Sequence, residues 1–195
     1  MMDMVIPREP RLNRGLRRDY TQASQISKPY LLGLLHDATI RRTTYRIATK
    51  SKVFADFLVR EIKRLGMSAW NYKEGKNRDL WIVEFSKSLL KNAKISSRQD
   101  KIDYVRGYFD AEGGIAKNPK VRFYLFFGQK NKNDLLEVKK YLEELGISCG
   151  KMHNPSKRVD PDYWRFFIRA RSYEKFAKII SSSHPDKFTI LRMKI

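Results

Sequence analysis

The residue whose setting most plainly suggests chemistry is Glu112. It closes the stretch Val105 to Gly113, VRGYFDAEG, which reads as an apolar helix carrying one carboxylate at its tip. A related stretch, LLGLLHDAT, runs from Leu31 to Thr39. Two such helices packed together would bring two tips side by side. Carboxylates paired in this way can hold divalent cations against scissile phosphates, where the ion activates water and stabilises the leaving oxygen. The chemistry expected is metal-assisted phosphodiester hydrolysis. Lys50 and Lys130 each end the first hairpin of a half, placed to stabilise charge developing on phosphate.

Bulk composition agrees with such a substrate. The 195 residues hold 41 Lys plus Arg against 21 Asp plus Glu, a net charge of +20. That excess implies a polyanionic partner, first of all nucleic acid. The lone cysteine, Cys149, excludes a disulfide framework and a thiolate zinc site. The three histidines, His36, His153 and His184, are too scattered for a histidine metal site. There is no apolar run of about 18 residues and no apolar signal core at the N-terminus. The expectation is a soluble, intracellular protein with no membrane partner.

The elements that must position Glu112 follow from pattern. Residues 1–26 are rich in Arg and Pro and read as a basic arm able to follow phosphates. Ser27 caps a helix with Pro29 in its first turn. A short hairpin follows, turning near Arg41 to Thr44, with Tyr45 and Ile47 on one face and Arg46 and Ala48 on the other. Ser51 caps an amphipathic helix from Lys52 to Leu65, closed by Gly66. Residues 67–73 and 79–85 form a second hairpin, and helix signals return from Lys87 to Ala93. Ser97 and Asp100 make a capping box that opens the helix to Glu112.

The order then repeats. A longer hairpin spans Gly114 to Lys130, turning at Asn118 and Pro119. Asn131 or Asn133 caps a helix to Leu145, closed by Gly146. Another hairpin carries a long polar loop, His153 to Asp162, and turns Trp164, Phe166 and Ile168 inward. Ser172 caps a last helix to about Ile180. The ending FTILRMKI suits a strand or a helical turn. Spacing supports the repeat: Gly33 to Gly107 is 74 residues, Lys50 to Lys130 and Gly66 to Gly146 are 80, and Trp81 to Trp164 is 83. The offset grows only inside hairpins, where insertions are tolerated.

The fold class expected is therefore α+β, with two αββαββα-type repeats over residues 27–96 and 97–182 and a tail over 183–195. The halves meet through Gly33, Gly107 and Ala111, small enough for backbones to approach. Helices cover the convex face, and two antiparallel sheets form a pseudo-twofold saddle. On its open face Arg42, Arg46, Lys120, Arg122, Tyr124, Arg165 and Arg169 are expected to contact duplex DNA. A two-stranded ribbon fits the major groove, where Arg and Lys read guanine edges.

On these motifs and their duplication the chain resembles the LAGLIDADG homing endonucleases, in the single-chain form with two halves. The resemblance implies a monomer that binds and cleaves long double-stranded DNA sites with Mg²⁺. It places Glu112 on the metal-binding acid, Lys50 and Lys130 on central basic residues, and Gln129 on a polar residue beside them. The first motif departs from the pattern. Glu112 lies five residues after Gly107, but five after Gly33 is Ala38, which binds no metal. Asp37 is the adjacent candidate, one helical residue or about 100° away. Cleavage is thus one reading, with an asymmetric or nicking activity included in it. A cleavage-impaired protein binding DNA or structured intron RNA, as a maturase or regulator, is the other.

Overall fold

The computed structural model describes residues 25–75, 78–118 and 120–195, so the basic arm lies almost wholly, and Pro119 itself, outside the described residues. The elements run α1 (Lys28–Leu34), β1 (Ala38–Ile40), β2 (Thr44–Thr49), α2 (Lys52–Arg64), β3 (Ala69–Lys73) and β4 (Trp81–Ser86) in the first half. The second half holds α3 (Arg98–Glu112), β5 (Gly113–Ile115), β6 (Leu125–Gln129), α4 (Lys132–Glu144), β7 (Trp164–Phe167) and α5 (Tyr173–Ile179). A further helix, α6 (Pro185–Lys194), ends the chain. The fold is α+β, with antiparallel sheets ordered β1-β2-β4-β3 and β5-β6-β7.

Local chemistry explains the helix ends. Ser27 accepts from the Tyr30 amide, and Ser51 from that of Phe54. Ser97 and Asp100 form the reciprocal capping box, and the amides of Ser96 and Ser97 pull the Asp100 carboxyl down to about 2. Gly66 and Gly146 adopt φ of +86° and +74°, the left-handed stop that only glycine takes cheaply. Asn131, not Asn133, is the cap of α4.

Each half has its own core. α2 buries Phe54, Phe57, Leu58 and Ile62 against Ile47, Val83 and Phe85. α4 buries Leu135, Val138 and Leu142 against Leu125, Phe127, Phe166 and Ile168. The helices therefore cover one face of each sheet and leave the other open.

Three sequence expectations need correction. In the second half the hairpin before β7 is reduced to isolated bridges, Cys149 to Ile168 and His153 to Arg165, because the polar loop folds on itself through Asn154, Ser156 and Asp160. The segment Val121 to Tyr124 is not strand; Val121 turns back to the Asn118 carbonyl. Ser172 stands at the N-cap of α5 as expected, but its hydroxyl makes no capping bond and accepts from the Ser148 amide instead.

The halves join through α1 and α3. A Cβ on Gly33 would lie 2.0 Å from the Tyr104 carbonyl oxygen, and one on Gly107 1.9 Å from that of Tyr30. Tyr104 follows Tyr30 by 74 residues, as Gly107 follows Gly33, so the contact has twofold symmetry. Polar bonds repeat it: Tyr30 donates to Asp110 at 2.8 Å, and the related Tyr104 hydroxyl pairs with His36 at 2.7 Å. Ser27 also donates across the halves to Asp103 at 2.7 Å.

Backbone atoms cannot yield as a side chain can. Gly107→Ala should therefore destabilise the protein by about 2–3 kcal/mol, despite alanine's helix preference of about 1 kcal/mol. Urea midpoints of the two proteins check this; an unchanged or raised midpoint would show that the helices are not in backbone contact.

Candidate functional site

The two helix tips lead straight into the first strand of each sheet. In the second half Glu112 is the last residue of α3, and Gly113 begins β5 opposite Phe127. In the first half α1 ends in a 3-10 turn, Leu35–Asp37, and Ala38 begins β1 opposite Ile47. Phe127 follows Ile47 by 80 residues, the same offset as Lys50 and Lys130. Ala38 is thus the partner of Gly113, and Asp37 stands immediately before its strand as Glu112 does.

This overturns the expected register, in which Ala38 matched Glu112 and Asp37 matched the packing residue Ala111. The physical reason is the 3-10 turn. Three residues at about 2.0 Å rise cover the length of four α-helical residues at about 1.5 Å. The first tip therefore reaches its strand with one residue fewer. His36 remains the twofold mate of Asp110, through its bond to Tyr104, and the shortening falls between it and Ala38. His36 is also held by Asp134 at 3.3 Å, which makes it an inter-half strut.

Electrostatics tie the two tips together. Burial, with the Asp37 charge adding to it, pushes the Glu112 carboxyl up to about 7, against a bond from Gln129 and the Lys187 charge. Asp37 keeps contact with solvent, yet loss of hydration raises its pKa as well, again against Lys187. Gln129 reaches Glu112 from the end of β6 through its side-chain amide and accepts from the Lys130 amide at 2.6 Å. The equivalent of Gln129 in the first half is Thr49, whose hydroxyl accepts from Ser51 instead. The acids are therefore held differently.

Lys187 is the site residue that sequence reasoning missed. It comes from α6, and its ammonium donates to the carbonyls of Phe109 at 2.6 Å, Asp110 at 2.9 Å and Gly113 at 2.7 Å. All three protons go to the C-terminal end of α3, where a cation complements the helix dipole. Burial pulls its pKa down to about 8. The tail is pinned beside it: Asp110 accepts from the Ser182 hydroxyl and from the Ser183 amide at 2.9 Å. The signal available was Pro185 with Asp186 as a helix start, but Thr189 and Ile190 masked it with β-branched character.

Other expected residues lie elsewhere. Lys130 is exposed and pairs with Asp160 at 3.2 Å, and Lys50 is exposed. Arg46 lies on the open face but is paired with Glu74, and Arg165 packs over Phe126 and Tyr163. The open face is thus not a row of free arginines. Arg42, Lys120 and Arg122 are exposed, as is Tyr124. Arg169, also exposed, donates to the Cys149 carbonyl at 3.0 Å. Gly33 and Gly107 make the helix contact, and Ala111 packs against the first-half core.

Among the described residues no cluster of three or more His, Cys, Asp or Glu could hold a metal alone. Asp37 and Glu112 are the residues that would hold an ion taking its remaining ligands from phosphate and water, as Mg²⁺ does. Their mutual repulsion and raised pKa values are what such an ion would relieve.

Residues 99–181 match the model of the LAGLIDADG-like domain. The chain carries a LAGLIDADG-like domain. The fold is similar to that of I-DmoI in complex with DNA and Ca, at 23% identity and TM-score 0.61, over 85% of this chain and 96% of that one. A structure of I-DmoI with DNA and Mn gives 22% identity and TM-score 0.57, over 78% and 94%. The N-terminal LAGLIDADG domain of DUF199/WhiA gives 12% identity and TM-score 0.62, over 91% and 93%. No curated protein matches. The LAGLIDADG-like half holds Glu112 and Gln129, while Asp37 and Lys187 lie outside the matched segment. Among the described residues no helix is long and apolar enough to cross a membrane.

Two outcomes are expected. A carboxyl whose folded pKa is raised stabilises the fold below the ordinary carboxylate range and loses that contribution as pH climbs through the folded value. Between about pH 5 and about pH 8 metal-free protein should therefore lose the Glu112 contribution, with Asp37 acting in the same direction and the lowered pKa values of His36 and His184 opposing it, so the melting temperature of Glu112→Gln should fall less, or rise more, over this window than that of the wild type. A variant with the full wild-type pH slope would contradict the assignment. Lys187→Met leaves three carbonyls without their cation and should cost about 2–3 kcal/mol. Hydrogen exchange should then show α6 opening; unchanged protection would mean that the tail is held by other contacts.

Proposed function

We propose that this protein binds double-stranded DNA across its two sheets and cleaves phosphodiester bonds at the helix tips with Mg²⁺. The observation that carries the reading is the placement of Asp37 and Glu112, each immediately before the first strand of its sheet at the end of one of two symmetry-related helices. Burial raises the pKa of Glu112, and the Asp37 charge adds to the rise. The net charge of +20 supplies the attraction for a polyanion. The fold shared with I-DmoI, which is solved with DNA, Mn and Ca, supports the same reading.

On this reading the repeats are residues 27–96 and 97–182, and one chain forms the whole saddle as a monomer. Asp37 and Glu112 would hold the ion, which would supply activation of water and neutralisation of charge on the leaving oxygen. Gln129 holds the Glu112 carboxylate in place. Lys187 moderates the acid pair from behind the α3 tip. Lys50 and Lys130 serve the phosphate backbone at the outer edge of the site. Arg42, Lys120, Arg122 and Arg169 give sequence-independent phosphate contacts, whose strength falls as salt rises.

A second reading has its own support. The Lys130 ammonium pairs with Asp160, and the Lys187 ammonium, whose charge acts on both acids, is committed to backbone carbonyls. That arrangement suits a protein that binds nucleic acid without cutting it.

Purified protein challenged with a library of duplex sites, with and without Mg²⁺, separates the two. Cleavage that Glu112→Gln abolishes while affinity is kept would establish the nuclease. Asp37→Asn should then cut one strand or neither. Binding without cleavage under every divalent ion would reject the nuclease reading, and Asp37→Asn with full two-strand cleavage would remove Asp37 from the site.

A further inference from the structure

Glu112 has a protein partner that fixes its direction, the side-chain amide of Gln129. Asp37 has no such partner. The repeat puts Thr49 where Gln129 stands, and the Thr49 hydroxyl oxygen accepts from the Ser51 amide at 3.1 Å. Among the described residues no group donates a hydrogen bond to the Asp37 carboxylate; burial and the Lys187 charge are what act on it.

Beside Asp37 the first half has a cavity of about 80 Å³. Its polar walls are Asp37, Thr49, Asp110 and His184, and Leu34 and Phe54 are among its apolar ones. A buried water needs about 10–15 Å³ and two to four polar partners, whereas a cavity with apolar walls alone stays dry. This one exceeds the volume several times over and has the polar walls.

Those walls are not equally free. Asp110 already accepts from Tyr30, Ser182 and Ser183. The Thr49 hydroxyl proton, the Asp37 carboxylate and the His184 ring remain. His184 Nδ1 is buried and has no hydrogen-bond partner among the described residues. A buried orphan of this kind calls for water or for a functional role. The residue is held in place: its ring packs on Phe54 with centroids 4.6 Å apart, and its amide donates to the Ser182 hydroxyl at 3.1 Å. Water can meet Nδ1 in either tautomer, by donating to the lone pair or by accepting from the N–H.

We propose that His184 is a positioning residue for Asp37, with water in this cavity joining Nδ1 to the Asp37 carboxylate. The water donates one proton to the carboxylate and is held on its other side by the ring, with the Thr49 hydroxyl as a further donor. The first acid thereby gains through water the restraint that Gln129 gives the second directly. Helix α6 then serves both acids, through Lys187 on the α3 tip and His184 beside Asp37. The catalytic consequence rests on the cleavage proposed above; the hydrogen-bonded link does not.

Two variants test the link. His184→Phe keeps a ring on Phe54 and removes both nitrogens; His184→Asn returns a polar atom near the Nδ1 position. A high-resolution crystal structure of the metal-free wild type should show ordered water within hydrogen-bond distance of both Nδ1 and the Asp37 carboxylate. His184→Phe should lose that water and change the Asp37 rotamer, while Glu112 stays on Gln129. In strand-resolved cleavage of a duplex site with Mg²⁺, His184→Phe should slow the strand that Asp37→Asn also slows, by about 10- to 100-fold. His184→Asn should recover most of that rate. A merely structural role would slow both strands alike with no recovery in His184→Asn, and that result would overturn the proposal. So would a wild-type crystal with no water between the two groups, which decides the matter by itself if His184→Phe does not fold. Bridging water in a protein that cuts no duplex would remove the nuclease reading and leave the link established.

Discussion

Everything at the site depends on how closely α1 and α3 approach. Gly33 and Gly107 let each helix rest on the other's carbonyl oxygens, closer than any side chain would permit. The contact is rigid because it is made of backbone. Around it the twofold relation is kept by Tyr30 with Asp110 and by Tyr104 with His36. Because both tips are fixed by one contact, the two sheets that begin there are fixed as well. The placement of each sheet thus follows from the helix pair.

On that symmetric base the two acid sites differ. Glu112 rides a full α-helix and is bonded by Gln129. Asp37 arrives by a tighter turn and lacks the matching amide, since Thr49 replaces it. Lys187 then binds the α3 tip alone, through carbonyls of that helix and of Gly113. The tail helix is therefore part of the centre of the molecule. Its pinning by Asp110 links it to Tyr30 on α1, so one buried carboxylate joins both halves and the tail.

Much of this was legible beforehand. Local rules placed the caps at Ser27, Ser51 and Ser97 and the stops at Gly66 and Gly146, because each depends on one residue and its immediate neighbours. The repeat was legible because both halves must bury similar cores. Glu112 and the two glycines emerged from the duplicated motif. The register at Asp37 did not, because counting residues assumes one rise per residue and a 3-10 turn breaks that assumption. The fate of Arg46 and Arg165 was also hidden. Alternation says which face a side chain takes, while its neighbours on that face, Glu74 and Phe126, come from distant strands or loops.

The order of residues alone thus determined two basic α+β halves joined along Gly33 and Gly107, with a carboxylate at Glu112, since periodicity, capping and charge are local or additive properties. Tertiary structure decided which first-half residue matches Glu112, what holds each acid, and what the open sheet faces present. Those matters turn on distances between segments far apart in the chain. Lys187 on the α3 carbonyls, 74 to 78 residues away, is the plainest case.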